Sequence, residues 1–267
     1  MILFPNCKIN LGLNITNKRE DGYHTLETVF LPIPFTDVLE ILPSDSFEFT
    51  ATGLLINTDD NLCSKAYNLL KQDFPNLPLV KMHLHKAIPL GAGLGGGSSD
   101  ASFTLRLLNE KFNLNINTEK LIGYALQLGS DCPFFIINKP CIATGRGEIL
   151  QPINIDLSNY KILIVNPGIH IDTKWAFSKI TPKQPSVSIK EIVSQPIETW
   201  KEQLQNDFEV PVFAEYPGIA KIKTNLYRQG AVYASLSGSG STVYGIFKKD
   251  DNIASNFTDY LYKILAL

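Results

Sequence analysis

No apolar run in this 267-residue sequence approaches the ~20 residues that cross a bilayer as a helix, so a helical membrane span is not expected. Charge of one sign is also lacking: 24 Lys and Arg stand against 26 Asp and Glu, for a formal net charge of −2. With no basic footprint, nucleic acid and anionic membranes are not the expected partners, and an anionic ligand must be held by a local site. The cysteines Cys7, Cys63, Cys132 and Cys141 form no CxxC pair and have no histidine at metal-ligand spacing. They read as four reduced thiols. Met1–Asn6 lacks the basic start and apolar stretch of a signal peptide, and a cytoplasmic location is the expectation. There is no internal repeat. A composition of 44% hydrophobic and 19% charged residues is that of a globular chain with a buried core, in one large domain or two small ones.

The residues that are present fall into short periodic pieces. Cys7, Ile9, Leu11, Leu13 and Ile15 alternate with Lys8, Asn10, Gly12 and Asn14, the period of a half-buried strand. Arg19–His24 reads as a turn, and strands follow at Leu26–Leu31 and Val38–Leu42, with Pro32 and Pro34 between them. Asp59-Asp60-Asn61 opens a helix, and Val80, Met82 and Leu84 mark another strand. Ser98-Ser99-Asp100 supplies N-cap residue types for the next helix. Further expectations are a helix over Thr118–Leu128, an apolar strand over Phe134–Ile137, and a strand over Lys161–Val165. Thr181–Pro196 reads as a surface connection, Ile219–Leu226 as a helix. Val232–Leu236 and Thr242–Phe247 form a hairpin-like pair around Ser237–Ser241. The mixed order favours α+β over a doubly wound sheet.

The chemistry is concentrated in Pro89-Leu90-Gly91-Ala92-Gly93-Leu94-Gly95-Gly96-Gly97-Ser98-Ser99. Glycines let backbone N–H groups approach a ligand without Cβ interference. The helix that follows aims its positive end at the same place. A phosphate chain is the natural occupant. Gly91, Gly93 and Gly96 formally match GxGxxG, but the preceding strand alternates, whereas a dinucleotide-binding strand is buried on both faces. The spacing Gly91 to Gly96 also fits a P-loop, except that Gly97 stands where its lysine must be. No HRD or DFG set marks a protein kinase.

With this loop in view, the sequence resembles the GHMP kinase superfamily. Four stretches carry the resemblance: Pro5–Leu11, Arg19–His24, the glycine loop with Ser98-Ser99-Asp100, and Leu128–Phe135. Leu236–Ser241 fits the superfamily's last glycine motif. Asp21-Gly22-Tyr23-His24 and Leu128–Phe135 point to the branch acting on a cytidine diphosphate-linked methylerythritol in the non-mevalonate isoprenoid pathway. The resemblance implies a two-lobed α+β fold, with a ribosomal-S5-like N-terminal lobe over residues 1–152 and a ferredoxin-like C-terminal lobe over 153–267. It implies ATP-dependent phosphorylation of the substrate's 2-hydroxyl, with ATP and Mg²⁺ as cofactors and a monomer or weak homodimer as the state.

Taken alone, Lys8 reads as a solvated edge lysine and Asp131 as a helix-end cap or turn residue. The resemblance makes them the catalytic pair, Asp131 receiving or orienting the hydroxyl proton while Lys8 keeps it ionised and stabilises the transferring phosphoryl group. Asn10 shares the polar face of Lys8. Tyr23 and His24 are implied to bind cytosine, by stacking and by hydrogen bonds, with Phe177 as the second face of the sandwich and Thr173 as a polar contact. Phe177 is also readable as a core aromatic, and His24, less readily, as a satisfied turn histidine. Pro167–Phe177, which carries Thr173 and Phe177, resembles the family's substrate segment but departs from the family pattern at Asp172 and Trp175. For ATP, Gly91 to Ser99 surround the phosphates, with Asn61, Leu62 and Lys86 at the adenine and ribose positions, though Lys86 is also readable as a strand-end lysine in water. Gly238 and Ser239 are expected to close on a phosphate, or to be a plain hairpin loop. Arg146, Glu148 and Asn206–Glu209 recur in the family pattern without an assigned chemistry.

Overall fold

The structure is a computed structural model that describes residues 1–254 and 257–267. Its strands are β1 (Ile2–Leu3), β2 (Asn6–Lys18), β3 (His24–Thr36), β4 (Val38–Pro43), β5 (Glu48–Gly53), β6 (Val80–Lys86), β7 (Cys141–Thr144), β8 (Ile149–Pro152), β9 (Tyr160–Asn166), β10 (Tyr233–Leu236), β11 (Val243–Lys248) and β12 (Leu261–Ala266). The α-helices are α1 (Leu62–Asp73), α2 (Gly96–Lys111), α3 (Thr118–Leu128), α4 (Cys132–Ile137), α5 (Thr173–Ser178), α6 (Ile189–Val193), α7 (Trp200–Gln203), α8 (Glu209–Glu215) and α9 (Pro217–Arg228). The architecture is α+β.

The chain forms two units, neither contiguous in sequence. The first comprises Met1–Cys7, Phe35–Leu90 and Gly95–Lys139. It holds a sheet in the order β1-β4-β6-β5, with α1 to α4. β5 runs parallel to β6 and is joined to it through α1, one βαβ unit that Glu48–Gly53 gave little sign of. α2 packs against α1, α3 and α4. It is buried almost all round, because Ala101, Phe103, Leu105, Leu107 and Leu108 leave no solvent face over those turns.

The second unit comprises Lys8–Pro34, Gly91–Leu94 and Pro140–Leu267. It contains the sheet β10-β11-β9-β12, antiparallel throughout, and nearly all of the sheet β2-β3-β7-β8. Its core gathers Leu163, Val165, Phe208, Ile219, Ile222, Leu226 and Phe247.

Several expectations need correction. Phe134–Ile137 is the body of helix α4, not a strand. A four-residue apolar run has no period that separates the two states, and Pro133 fits the first helical turn. β3 does not stop at Pro32 but runs through both prolines. Its ladder to β7 covers Thr28–Phe30, so beyond it a missing N–H leaves no bond to β7 unmade. Thr181–Pro196 is not merely a connection. Ser188 and Glu191 form a reciprocal capping box, and α6 buries Ile189, Ile192 and Val193. Finally, α2 starts at Gly96, two residues before the expected serine cap. Gly95 takes the cap position at φ 68°, a left-handed conformation suited to glycine.

Candidate functional site

In the second unit the polar face of β2 carries the first cluster. It is enclosed and not half-solvated as its alternation implied, with Lys8 4% and Asn10 2% exposed. A buried ammonium needs partners. Lys8 Nζ donates to Asn10 Oδ1 at 2.7 Å and lies 4.7 Å from the centroid of the Phe30 ring. Asn10 Nδ2 passes the chain on to Thr28 Oγ1 at 3.0 Å, which donates to Gly12 O. The Lys8 backbone N–H donates to Leu94 O at 2.9 Å, tying this face to the glycine loop.

The two glycine stretches, 146 residues apart between Gly91 and Ser237 in sequence, are locked backbone to backbone. Ser237 Oγ donates to Gly93 O at 2.8 Å, and Thr242 N to Ala92 O at 3.2 Å. A Cβ on Gly93, whose φ is +78°, would lie 1.9 Å from Ser237 O, so only glycine permits this approach. A Cβ on Gly238 would lie 3.3 Å from Gly93 Cα and 3.6 Å from Asn10 Oδ1. Ser239 Oγ lies 3.4 Å from Thr173 Oγ1, which brings another two predicted residues together. The hairpin loop is held from behind by residues that had no assigned chemistry. Asn206 Nδ2 donates to Leu236 O and Gly238 O, each at 2.9 Å. Glu209 accepts from Ser235 Oγ and Leu236 N, each at 3.0 Å.

The predicted aromatic residues lie on the same unit. Tyr23 is 55% exposed at a turn clipped by the Arg19–Asp21 ion pair, and the Arg146 guanidinium lies 4.8 Å from its ring centroid. His24 stacks on Phe177 with centroids 5.0 Å apart and planes at 18°. Burial pushes the His24 pKa below its usual value, and Lys18 adds to this. Phe177 also meets Phe208 edge to face at 4.9 Å, so it serves the core as well as the surface. The two departures from the family pattern do structural work here. Asp172 caps α5 by accepting from Trp175 N at 2.7 Å, and Trp175 packs edge to face on Tyr216.

In the first unit, the β6 alternation puts Lys86 on the same inward face as Val80, Met82 and Leu84. Its ammonium is fully enclosed and is ion-paired with Asp37 and, at 2.8 Å, with Asp100. It is therefore not a strand-end lysine in water. Asp37 Oδ1 accepts from Ala87 N and Ile88 N at 2.6 and 2.9 Å. Burial would lower the Lys86 pKa, but the two carboxylates reverse this and raise it. Asp100 is pushed up to about 7, first by burial and then by Asp37, against the pull of Lys86. In the same first turn of α2, Ser99 Oγ and Asp100 Oδ1 are buried without a hydrogen-bond partner.

A cavity of about 160 Å³ in this unit is lined by Asn57, Asn61, Leu62, Lys86, Leu90, Gly97 and Asp100. It gathers Asn61, Leu62 and Lys86 beside the loop helix, although the Lys86 charge is committed to its carboxylates. Asn61 caps α1, accepting from Cys63 N at 2.8 Å. Asp131 takes the N-cap position of α4. Ser102 Oγ donates to Cys132 O at 2.7 Å, fastening that helix to α2. Among the described residues, no three His, Cys, Asp or Glu side chains form a group able to hold a metal ion. Asp37, Asp100, Asn206 and Glu209 had escaped sequence reasoning as site supports. For Asp37 and Asp100 the available signal was the inward register of Lys86, which demands a buried counter-charge.

The sequence matches the model of the GHMP kinases N terminal domain over residues 61–139 and that of the GHMP kinases C terminal over 188–263. It is 53% identical over 259 residues to a 4-diphosphocytidyl-2-C-methyl-D-erythritol kinase of Bacteroides fragilis, covering 95% of this chain and 94% of that one. A kinase of the same name from Chlorobium phaeobacteroides is 44% identical, covering 91% and 87%. A crystal structure of 4-(cytidine 5'-diphospho)-2C-methyl-D-erythritol kinase superposes with a TM-score of 0.81 at 30% identity, covering 92% of this chain and 89% of that one. A mevalonate kinase structure shares the fold, with a TM-score of 0.75 at 16% identity over 99% and 98% of the two chains. The chain belongs to the GHMP kinase family, and within it to the family of the 4-diphosphocytidyl-2-C-methyl-D-erythritol kinases.

Proposed function

We propose that this kinase transfers the γ-phosphoryl group of ATP to the 2-hydroxyl of 4-diphosphocytidyl-2-C-methyl-D-erythritol, releasing ADP and the 2-phosphate. The observation that carries the reading is the interlocked pair of glycine loops beside the buried Lys8–Asn10 pair. Relatives at 44–53% identity narrow the acceptor to the cytidine compound.

In this reading Gly91 to Ser99 hold the nucleotide phosphates through backbone N–H groups, and the orphan Ser99 hydroxyl finds a phosphate oxygen as partner. Asn61, Leu62 and the Lys86 segment border the adenosine. Gly238 and Ser239 face the phosphate being moved. Tyr23 stacks on cytosine, with Phe177 and Thr173 on the same side of the substrate. His24, kept neutral by burial, offers one ring N–H and one acceptor nitrogen to the base. Asp131 takes the hydroxyl proton as the new oxygen–phosphorus bond forms and the bond to ADP breaks. Lys8 supplies positive charge to the transferring group. A loose transition state asks little early deprotonation, so Asp131 acts first by orienting the hydroxyl. Among the described residues no group of three or more His, Cys, Asp or Glu could hold a metal ion, and no residue is assigned to one. Mg²⁺ enters on ATP as part of that substrate, and neutralises phosphate charge there. The enzyme is taken to work in the cytoplasm, as a monomer or weak homodimer, with ATP handled by residues 1–152 and the acceptor completed by 153–267.

The test is ADP release with ATP and Mg²⁺ against 4-diphosphocytidyl-2-C-methyl-D-erythritol, mevalonate, homoserine and galactose. Turnover confined to the cytidine compound supports the reading. Turnover of another alcohol overturns the Tyr23–His24 pocket while keeping a kinase.

A further inference from the structure

A third loop joins the two glycine loops, and it brings a histidine that lies in the substrate-like segment Pro167–Phe177 but was given no role of its own. Residues 167–172 connect β9 to α5 within the second unit. Ser241 Oγ donates to Ile169 O at 2.5 Å, and a Cβ on Gly240 would meet Ile171 Cδ1 at 2.8 Å. Thr173 faces Ser239 across the same junction. The segment is thus laced to the hairpin loop, which is itself locked to Gly93.

Between these fixed points stands His170. Its side chain is exposed, yet it reaches the glycine loop, where a Cβ on Gly91 would lie 3.2 Å from His170 Nδ1 and 3.4 Å from Cε1. Gly91 has φ +60°, so the imidazole rests against a position doubly suited to glycine. A side chain there would push the ring away. Both neighbouring isoleucines point elsewhere: Ile171 is buried in the core, and Ile169 packs partly buried against it. The segment therefore spends its apolar residues on the interior and leaves one imidazole beside the backbone that cradles an anion. An imidazole donates one N–H when neutral and two when protonated, and a donor to a phosphate oxygen makes a charge-assisted bond.

We propose that His170 is a phosphate-binding residue, donating from its imidazole to a phosphate oxygen held over Gly91. The inference rests on the kinase reading above and deepens it. The chemistry is that of a nucleotide phosphate or of the substrate's diphosphate, and the two sources are separable.

The experiment compares wild type, His170→Ala and His170→Gln, the last keeping an N–H donor. KM for ATP and for the cytidine substrate are measured separately from kcat. Calorimetric binding of ADP and of CDP to the resting protein is measured in parallel. His170→Ala should raise one KM, or weaken the matching diphosphate, about tenfold, leave kcat within a factor of two or so, and be partly rescued in His170→Gln. An effect confined to ATP and ADP assigns the nucleotide phosphates. An effect confined to the cytidine substrate and CDP assigns its diphosphate. Unchanged KM values and unchanged binding of both diphosphates overturn the proposal. A wild type that binds ADP or CDP but turns over no cytidine substrate sinks the kinase reading instead, and the binding data still decide the role of His170.

Discussion

At the scale of single residues, the site relies on a few side chains in unusual surroundings. Asp131 stands at the start of a helix whose first turn holds a proline, a position with little freedom to swing. Replacing it by Asn keeps the shape and removes the proposed proton acceptor. Asp131→Asn should lower kcat by at least ~10²-fold while ATP affinity measured by calorimetry stays near wild type. A variant with near-normal turnover would remove Asp131 from the chemistry. Tyr23 has one face of its ring toward Arg146, and the residue is more than half exposed. Tyr23→Ala should raise KM for the cytidine substrate by roughly tenfold, the range of a lost base-stacking contact, and leave KM for ATP unchanged. Equal rises in both would count against stacking and for a loosened fold.

At the scale of elements, the interlock of the two glycine loops is the feature on which the proposed phosphate cradle depends. Gly93→Ala places a methyl against Ser237 O and forces a left-handed conformation on alanine, so the loops must separate. The variant should lose about 1–3 kcal/mol of stability in chemical denaturation together with most of kcat/KM. Gly97→Ala is the matched control, since its Cβ would meet only Leu62 and Leu90 at 3.8 and 3.9 Å. It should change stability by no more than about 1 kcal/mol, in the favourable direction. If both variants behaved alike, the close approach would not matter. This contrast also marks what was legible in the sequence. Thr118–Leu128 and the hairpin around Ser237–Ser241 were readable because their periods and turn residues are local. So were Lys8 and Asn10 as neighbours on one face. Helix α4 was not, because four apolar residues carry no period. Nor was the meeting of Gly93 with Ser237, since the contact joins residues 144 apart. The capping box of α6 was local and readable, but Pro and Gln around it masked the signal.

At the scale of the whole molecule, 24 basic and 26 acidic side chains nearly cancel, so stability against pH is set by a few buried groups and not by the overall field. One such arrangement is the Lys86–Asp37–Asp100 triad, which ties the junction just before β4 to β6 and α2 of the first unit. Asp100 titrates near 7 in the folded chain, against an ordinary value of 3.8, so between those values the native state holds a proton that the unfolded chain has released. The stability this proton confers is fully present below the unfolded value and is lost as pH rises toward about 7. Asp100→Asn mimics the protonated form. Its side-chain oxygen keeps an acceptor for Lys86, and being neutral it puts no second negative charge beside Asp37. The variant should therefore be close to wild type in urea unfolding near pH 5, and more stable than wild type near pH 8. Parallel stability curves for the two proteins across that window would show that Asp100 ionises freely. In that case the carboxylate left unpartnered at Oδ1 would have to be compensated by something other than a proton.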